Sequence, residues 1–282
     1  MIITELNHID VLNMLPERNP WGHKGSFGKI LILCGSKGFT GAAYFAAMGA
    51  LRSGAGLVFL GVPESIYAIE AIKLNEPVVF PLPEKDGKLS VSALPEIEKR
   101  LVGMDAVLIG CGLGISEETA AVVKWVLANA DCPVVLDADG ITLMAAHKDI
   151  LRGRVHPTIL TPHEGEFLRF GGSVSGDRME AAAYYAREWN AIVLLKGHET
   201  CITDGERYYL NKTGNPGMAV GGSGDVLAGI ITGLLVQKLM PLEAAACGAY
   251  VHGMAGDICV QKLGQYGMLP SDMLDVLPRL LK

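Results

Sequence analysis

A glycine-rich stretch from Gly214 to Asp225 constrains this chain more than any other segment. It reads Gly-Asn-Pro-Gly-Met-Ala-Val-Gly-Gly-Ser-Gly-Asp, so five glycines precede one carboxylate, and an apolar segment from Val226 to Leu239 follows directly. Glycines let backbone N–H groups converge on one point, and a helix that begins there adds the positive end of its dipole. The stretch therefore predicts a phosphate site, with Asp225 placed to take a proton from a hydroxyl that attacks a nucleotide. The alternative is that Asp225 only caps the helix.

The length and composition indicate a globular chain with a sizeable core. Half of the 282 residues are hydrophobic and 19% are charged, which suits one large α/β domain or two small ones. No linker or internal repeat is evident, so a single domain over residues 1–282 is the simplest interpretation, with residues 1–20 as a possible N-terminal arm. The net charge of −6 and the lack of a basic stripe argue against nucleic acid or an anionic membrane as a partner.

The cysteines and the first residues of the chain indicate a cytoplasmic protein. None of the six cysteines belongs to a Cys-x-x-Cys pair, and most lie in apolar segments, which is typical of reduced core residues rather than of disulfides or a zinc site. Residues 1–20 lack the charged start and apolar run of a signal peptide. Cys111 differs from the other cysteines because it lies between glycines, in a segment that could contact a ligand.

Short apolar runs alternate with helix-length segments along most of the chain. This rhythm predicts βαβ units and therefore an α/β fold, with a mostly parallel central sheet and helices on both faces. The predicted strands are 29–34, 57–62, 105–109, 133–136, 158–160 and 191–195, and the first helix is 41–52. Asp204 and Gly205 between two β-rich runs predict a hairpin over 201–210 at an antiparallel edge of the sheet. From Asp225 onward the pattern predicts three helical segments.

Charged side chains follow two of the predicted strands. Asp137 and Asp139 come after the strand 133–136, where carboxylates face the ligand crevice of a parallel sheet and either could hold Mg²⁺ through water. Asp139 could instead be a helix N-cap. Lys196 follows the strand 191–195 and could reach a phosphate, although a solvated lysine is the plainer interpretation.

The segment Thr161-Pro-His-Glu-Gly-Glu166 combines a helix start with groups that could bind a ligand. Thr161 and Glu164 have the spacing of a capping box, and Pro162 suits the first helical position. We therefore assign Glu164 to structure, His163 to ligand contact and Glu166 to a Mg²⁺–water role. A zinc pair of His163 and Glu166 has no third ligand nearby in the sequence.

Two further glycine loops follow predicted strands. The loop from Gly35 to Gly41 could bind an anion at the start of a helix or could simply be a tight turn, and it lacks the ending of a P-loop. The segment from Gly110 to Gly114 has the spacing Gly-x-Gly-x-Gly and does not follow the first strand. It therefore does not fit a dinucleotide fingerprint of a hydride-transfer enzyme.

Taken in order, these motifs resemble the ribokinase-like superfamily, and within it the ADP/ATP-dependent NAD(P)H-hydrate dehydratases. The resemblance covers roughly residues 20 to 270, and Asn215-Pro-Gly-Met-Ala-Val-Gly-Gly-Ser-Gly-Asp225 is its most specific block. The other similar blocks are His23-Lys-Gly-Ser-Phe-Gly28, Gly41-Ala-Ala43, residues 50–57, Gly110-Cys-Gly-Leu-Gly114, Leu136-Asp-Ala-Asp139, Leu160-Thr-Pro-His-Glu-Gly-Glu166 and Lys196-Gly197.

The resemblance implies a repair reaction that uses a nucleotide. Water adds to the reduced nicotinamide ring of NADH or NADPH, and the enzyme removes it from the S-epimer of the hydrate by phosphorylating the hydroxyl group and releasing phosphate. We expect dehydration only, with Mg²⁺ and with ADP favoured over ATP as the donor. The resemblance also implies a homotetramer.

The resemblance also assigns roles to individual residues. Asp225 would take the proton, and the backbone of Gly222, Ser223 and Gly224 would hold the transferring phosphoryl group. Glu166 would help to organise Mg²⁺, and Asp139 is a second candidate through water. The adenine nucleotide would contact Lys196, Gly197, His198, Glu199, Thr200 and Gly224, and the hydrate would contact Ala43, Gly112, Gly114, His163 and Asp225.

Two other functions stay open at this point. A kinase of a small alcohol, such as a thiamine precursor, would share the glycine loop and Asp225, but its product would be a stable phosphate ester. A non-catalytic protein that binds adenine nucleotides would have no turnover, so replacement of Asp225 would abolish no activity.

Overall fold

The computed structural model describes residues 2–174 and 176–281, and its twelve strands and twelve helices alternate along much of the chain. The strands are β1 (Ile3–Glu5), β2 (Lys29–Leu33), β3 (Leu57–Pro63), β4 (Val78–Leu82), β5 (Glu84–Lys85), β6 (Lys88–Leu89), β7 (Ala106–Ile109), β8 (Val134–Leu136), β9 (Thr158–Leu160), β10 (Ile192–Leu195), β11 (Thr200–Thr203) and β12 (Tyr208–Asn211). The helices are α1 (His8–Met14), α2 (Thr40–Arg52), α3 (Glu64–Lys73), α4 (Leu94–Leu101), α5 (Glu117–Asn129), α6 (Asp139–Met144), α7 (Asp149–Arg152), α8 (Glu164–Arg169), α9 (Arg178–Trp189), α10 (Ser223–Leu235), α11 (Pro241–Gly267) and α12 (Pro270–Leu280).

Ten strands form one sheet in the order β1-β12-β11-β10-β9-β8-β7-β2-β3-β4. All pairs from β10 to β4 are parallel, which confirms the α/β fold that the alternating apolar runs predict. The strand β11 is antiparallel to both of its neighbours, β10 and β12, as the Asp204–Gly205 hairpin predicts. The carboxyl ends of β2, β7, β8, β9 and β10 consequently meet at one edge of the sheet, where ligands bind in folds of this kind.

The prediction that the hairpin forms the edge of the sheet is wrong. The N-terminal strand β1 pairs in parallel with β12 and lies outside it, so the first residues are part of the sheet. A three-residue strand is too short to give a periodic signal in the sequence. At the opposite edge lies β4, which the sequence pattern does not predict; it contains Pro81, and a proline within an apolar run argues against a strand except at an edge.

The core lies on both faces of the sheet because neighbouring residues in each strand point to opposite sides. Ile30 and Ile32 of β2 pack with helices α2, α10, α11 and α12, whereas Leu31 and Leu33 pack with α4, α5 and α9. All six cysteines are buried and free, as the sequence predicts for core residues. Among the described residues, the helices are either too short or too polar to cross a membrane.

The helices α2 and α10 cross with their backbones in contact. A Cβ atom at Gly49 would lie 2.6 Å from the carbonyl oxygen of Val226, and one at Gly229 would overlap the carbonyl oxygen of Ala46. This close crossing fixes the position of α10, whose first turn carries the glycine-rich stretch. The described residues after Gly222 form three helices, α10, α11 and α12, as predicted, with the first beginning at Ser223.

Candidate active site

The glycine-rich stretch ends in the first turn of α10. Gly222 is the N-cap of this helix and has a φ of +99°, a conformation that side chains disfavour; a Cβ atom there would also lie 2.6 Å from the ring of Phe45. Ser223, Gly224 and Asp225 follow within the turn, where backbone N–H groups lack intrahelical acceptors. The helix is capped by Gly222 and not by Asp225, so the structure does not support the alternative that Asp225 is only a cap.

A cavity of about 850 Å³ opens beside this turn. Ser223 and Gly224 line it on one side, and Lys196 and His163 line it on another. The loop from Lys196 to Thr200 contributes Gly197, His198 and Thr200 to the wall, whereas the side chain of Glu199 is exposed outside it. The volume lies within the range of sites for drug-sized molecules, so the cavity can accept a nucleotide.

Asp225 lies in a cluster with Cys111 and Asp137, whose ligand atoms are all within 4.8 Å of one another. Burial raises the pKa of Asp225 to about 6, and the negative charge of Asp137 acts in the same direction, while the nearby thiol of Cys111 and the charge of Lys196 oppose them. A carboxyl group with a pKa near 6 can accept and release a proton near neutral pH. This is the property that a general base next to a phosphate site requires.

Lys196 brings a positive charge to the same place. Its Nζ lies 3.1 Å from Asp137 Oδ1 and 3.8 Å from Glu166 Oε2. Burial lowers the pKa of Lys196, but the two carboxylates outweigh it and the pKa is raised overall, so the side chain is protonated. A Cβ atom at Gly224 would lie 3.5 Å from this Nζ, which places the ammonium against the turn that carries the glycines.

Three protein groups contact the carboxylate of Asp137. Its Oδ1 accepts a hydrogen bond of 2.6 Å from the hydroxyl of Thr161 as well as the bond from Lys196, and Cys111 donates to Oδ2 at 3.5 Å. The carboxylate therefore anchors Lys196 and adds negative charge near Asp225. The ammonium of Lys196 and the hydroxyl of Thr161 occupy Oδ1, so a metal ion at this carboxylate would have to bind Oδ2, beside the thiol of Cys111.

The start of α8 differs from the prediction. The N-cap is His163, whose Nδ1 accepts from the backbone of Gly165 and Glu166, and the carboxylate of Glu166 accepts from the backbone of His163 at 2.9 Å. The predicted capping box of Thr161 and Glu164 is therefore wrong by two residues. The reason is that the hydroxyl of Thr161 is bound by the buried Asp137, so the chain stays extended until His163.

Asp139 is the first residue of α6 and not its N-cap, which is Ala138 with a φ of +50°. One of its oxygens accepts the N–H of Gly114 at 2.8 Å, so Asp139 holds the 110–114 loop in place. Gly114 is itself covered by the methylene groups of Lys88. The alternative of a helix cap is thus wrong, and the carboxylate keeps one oxygen beyond this bond.

The residues present fit Mg²⁺ only through water. Asp139 and Glu166 each use one carboxylate oxygen for a backbone N–H, and within the described residues neither belongs to a group of three or more potential metal ligands. Mg²⁺ keeps several waters and binds to phosphates through one or two carboxylates, which matches this arrangement.

The loop from Gly35 to Gly41 is a tight turn. The N–H groups of Gly35, Lys37 and Phe39 bond to the carbonyl oxygens of Cys111, Gly87 and Ser36, so they are not available to an anion. Ser36 also donates to the carbonyl of Gly112 at 2.8 Å, which joins this loop to the next one. Ala43, a predicted substrate contact, is fully buried beneath the loop.

Two residues of the site were missed in the sequence. His252 of α11 lines the cavity and lies 3.3 Å from the hydroxyl of Ser223; burial lowers its pKa to about 4, so it is neutral. Within an apolar helix, a lone histidine gives no functional signal in the sequence. Arg178 of α9 contacts the 196–200 loop, although its position in the sequence gives no indication of that contact.

The sheet order and the glycine turn beside a carboxylate define a ribokinase-like protein. The sequence model of the NAD(P)H-hydrate dehydratase family matches residues 30–279, and the chain belongs to this family. It is 46% identical to the bifunctional NAD(P)H-hydrate repair enzyme Nnr of Moorella thermoacetica, over 96% of this chain and 52% of that protein. The chain thus spans about half the length of several curated relatives that it matches.

Another relative matches along nearly its whole length. The ADP-dependent (S)-NAD(P)H-hydrate dehydratase of Bacillus subtilis is 37% identical, with 95% of this chain and 94% of that protein aligned. The crystal structure of the Bacillus subtilis ADP/ATP-dependent NAD(P)H-hydrate dehydratase, co-crystallised with ATP and Mg²⁺, has a TM-score of 0.84 and 33% identity. It covers 99% of this chain and 98% of the chain in the crystal.

Proposed function

We propose that this chain removes water from the S-epimer of NADH or NADPH hydrate at the expense of an adenine nucleotide. The observation that carries the proposal is the position of Asp225, a carboxyl group with a raised pKa in the first turn of the glycine-capped helix α10. Family membership supplies the substrate class, and the cavity of about 850 Å³ provides room for a nucleotide beside this turn.

In the first step, the hydroxyl oxygen of the hydrate attacks the terminal phosphoryl group of the nucleotide, and its proton passes to Asp225. The new O–P bond forms as the bond to the nucleotide leaving group breaks, so ADP would yield AMP. The N–H of Ser223 bonds to the carbonyl oxygen of Val220 at 3.3 Å, so the N–H groups of Gly222 and Gly224 are the ones proposed to stabilise the transferring group. The ammonium of Lys196 adds a positive charge beside it. Asp225 and the turn lie on one helix end, which holds base and phosphoryl group at a fixed separation.

In the second step, the phosphorylated ring expels inorganic phosphate. Hydroxide is a poor leaving group and phosphate is a good one. The lone pair of the ring nitrogen assists cleavage of the C–O bond. Loss of a proton from the neighbouring ring carbon then restores the reduced nicotinamide. This sequence explains why a site for phosphoryl transfer serves a dehydration.

The nucleotide is proposed to be ADP or ATP, with ADP favoured. Support comes from the Bacillus subtilis relative, whose name specifies ADP, and from its structure with ATP and Mg²⁺. The nucleotide would lie against Lys196, Gly197, His198, Thr200 and Gly224. When bound, Mg²⁺ would neutralise phosphate charge, and Asp139 and Glu166 would contact it through water.

The hydrate is proposed to bind next to Asp225, toward Gly112, Gly114 and His163, and His163 also lines the cavity that would hold the nucleotide. Burial beneath the 35–41 loop means that Ala43 would contact the hydrate only if this loop moved. We further propose that the chain works as one catalytic domain in the cytoplasm and assembles as a homotetramer. Exposed apolar side chains on α3 and on the edge strand β4, namely Ile69, Ile72 and Val78, offer a surface for self-association.

The products of turnover test this function. Purified protein is incubated with chemically prepared NADH hydrate, Mg²⁺ and ADP, and phosphorus NMR follows the phosphates. The proposal predicts one inorganic phosphate and one AMP for each NADH that forms. Accumulation of a stable phosphate ester without NADH would instead identify a small-alcohol kinase, and nucleotide binding without turnover would identify a binding protein.

A further inference from the structure

The guanidinium group of Arg178, at the start of α9, donates two hydrogen bonds to the loop that follows β10. Its Nη2 donates to the carbonyl oxygen of Lys196 at 2.9 Å, and its Nη1 donates to that of Glu199 at 2.8 Å. The two carbonyls belong to the two ends of the segment 196–199. A planar guanidinium holds two acceptors in a fixed fork, so it fixes both ends of this segment at once.

Gly197 lies directly beneath this guanidinium. A Cβ atom at Gly197 would lie 2.7 Å from Arg178 Nη1 and 2.8 Å from Cζ, and it would overlap Nη2. Gly197 is not among the glycines with a positive φ, so its backbone conformation does not require glycine. A side chain at this position would therefore displace the guanidinium of Arg178.

The position of Arg178 on its helix is electrostatically unfavourable. It is the first residue of α9, after the N-cap Asp177, and a cation there opposes the positive end of the helix dipole. Arg178 Nε is buried and has no partner among the described residues. The two bonds to the loop thus compensate for the unfavourable position of this partly buried guanidinium.

The loop that Arg178 holds contributes to the candidate active site in two ways. Gly197, His198 and Thr200 line the cavity, and Lys196 carries the ammonium that lies between Asp137 and the first turn of α10. The N–H of Lys196 bonds to Pro162 on its other side, so the backbone of this residue is held at both its N–H and its carbonyl. Release of one of these two contacts would let the backbone of the loop shift relative to the cavity.

We propose that Arg178 is a positioning residue for the nucleotide: it fixes the 196–200 loop and so determines nucleotide affinity without touching the reacting atoms. The inference rests on the proposed function for the identity of the ligand, an adenine nucleotide. It assigns no role to Arg178 in the binding of the second substrate.

Arg178→Lys tests the inference, because lysine keeps the charge but cannot bind both carbonyls as a fork. A matched control is Arg187→Lys on the same helix. Arg187 donates to the carbonyl of Gly205. Gly205 lies in the turn between β11 and β12, at the end of β11 that is farther from the 196–200 loop. The dissociation constants of ADP and ATP are measured by calorimetry for the two variants and the wild type, together with the KM of each substrate and the melting temperatures.

We expect Arg178→Lys to weaken nucleotide binding about tenfold, as for the loss of one charge-assisted hydrogen bond, and to leave the KM of the hydrate unchanged. Arg187→Lys should lower the melting temperature by a similar amount without weakening nucleotide binding. Equal binding by Arg178→Lys and the wild type, or equal weakening by both variants, would overturn the inference. Nucleotide binding by the wild type without hydrate turnover would refute the proposed function and leave the role of Arg178 standing.

Gly197→Ala provides a second variant should Arg178→Lys fail to fold. The new methyl group at position 197 pushes the guanidinium of Arg178 away from the loop, so nucleotide binding should again weaken. In the double variant, the two changes should cost less than their sum because each removes the same contact. Additive costs would show that Gly197 and Arg178 act independently and would contradict the inference.

Discussion

Lys196 Nζ lies 3.1 Å from Asp137 Oδ1, and this contact ties the loop after β10 to the end of β8. The carboxylate of Asp137 thereby forms an ion pair with the ammonium and offsets part of its positive charge. The ligand atoms of Asp137 and Asp225 lie within 4.8 Å of each other. Asp225 then has the negative charge of Asp137 as a neighbour, and Lys196, the nearby cation, is already paired with Asp137. Together with burial, this explains why the pKa of Asp225 rises to about 6. The ion pair thus tunes the candidate base as well as holding the loop.

The pKa of Asp225 predicts how turnover depends on pH. The base acts only in its ionised form, so kcat/KM should be constant above neutrality and fall tenfold per unit of pH below about pH 6. The measurement is a pH profile of kcat/KM for the hydrate at saturating nucleotide. An acid limb near pH 4, the ordinary range of an aspartate, would show that burial and Asp137 do not act on the base as described.

Replacement of Asp137 should move this limb. Asp137→Asn removes the neighbouring negative charge and leaves Lys196 free to approach Asp225, and both changes lower the pKa of Asp225. We expect the acid limb to shift to lower pH and turnover at pH 7.5 to fall about tenfold, since Lys196 loses its anchor. Asp149→Asn, at an exposed carboxylate remote from the site, is the control and should leave the profile unchanged.

His163 has a structural role that can be separated from ligand contact. His163→Ala removes the N-cap of α8 and should lower the free energy of unfolding by about 1 kcal/mol, whereas His163→Asn should retain most of the cap. Denaturant unfolding of the two variants measures the difference. If both variants are as stable as the wild type but have a raised KM for the hydrate, ligand contact and not capping is the main role of His163.

The crossing of α2 and α10 predicts opposite results for two glycines of α2. Gly49→Ala places a methyl group against the carbonyl of Val226 and should cost about 1–3 kcal/mol, while it also displaces the first turn of α10. Gly41→Ala meets only the ring of Phe45 at 3.9 Å and should leave stability unchanged or slightly higher. Thermal unfolding of the two variants is the measurement, and equal stability would contradict the close crossing.

The sequence predicts the parts of the fold that have strong local signals. Buried parallel strands such as 191–195 are continuous apolar runs, and the hairpin at Asp204 and Gly205 has its own turn residues, so both are found. The edge strands β1 and β4 depend on pairing with distant residues, and a short or proline-containing segment carries no periodic signal for such pairing.

In the candidate site too, the sequence predicts the features with a local signal and misses those that depend on distant residues. The glycines before Asp225 mark the phosphate turn because their spacing is local. The contacts of Arg178 with Lys196 and of His252 with Ser223 join residues 18 and 29 positions apart, and only the folded chain brings them together. The capping box was misplaced for the same reason, since Asp137 binds Thr161 from 24 positions away.

The most direct test of the central claim is the absorbance at 340 nm of wild type and Asp225→Asn with NADH hydrate, Mg²⁺ and either ADP or ATP. We predict a nucleotide-dependent rise with the wild type, faster with ADP, and a loss of about 100- to 10,000-fold in Asp225→Asn with nucleotide binding retained. Turnover by Asp225→Asn at the rate of the wild type would contradict the role of Asp225 as the base.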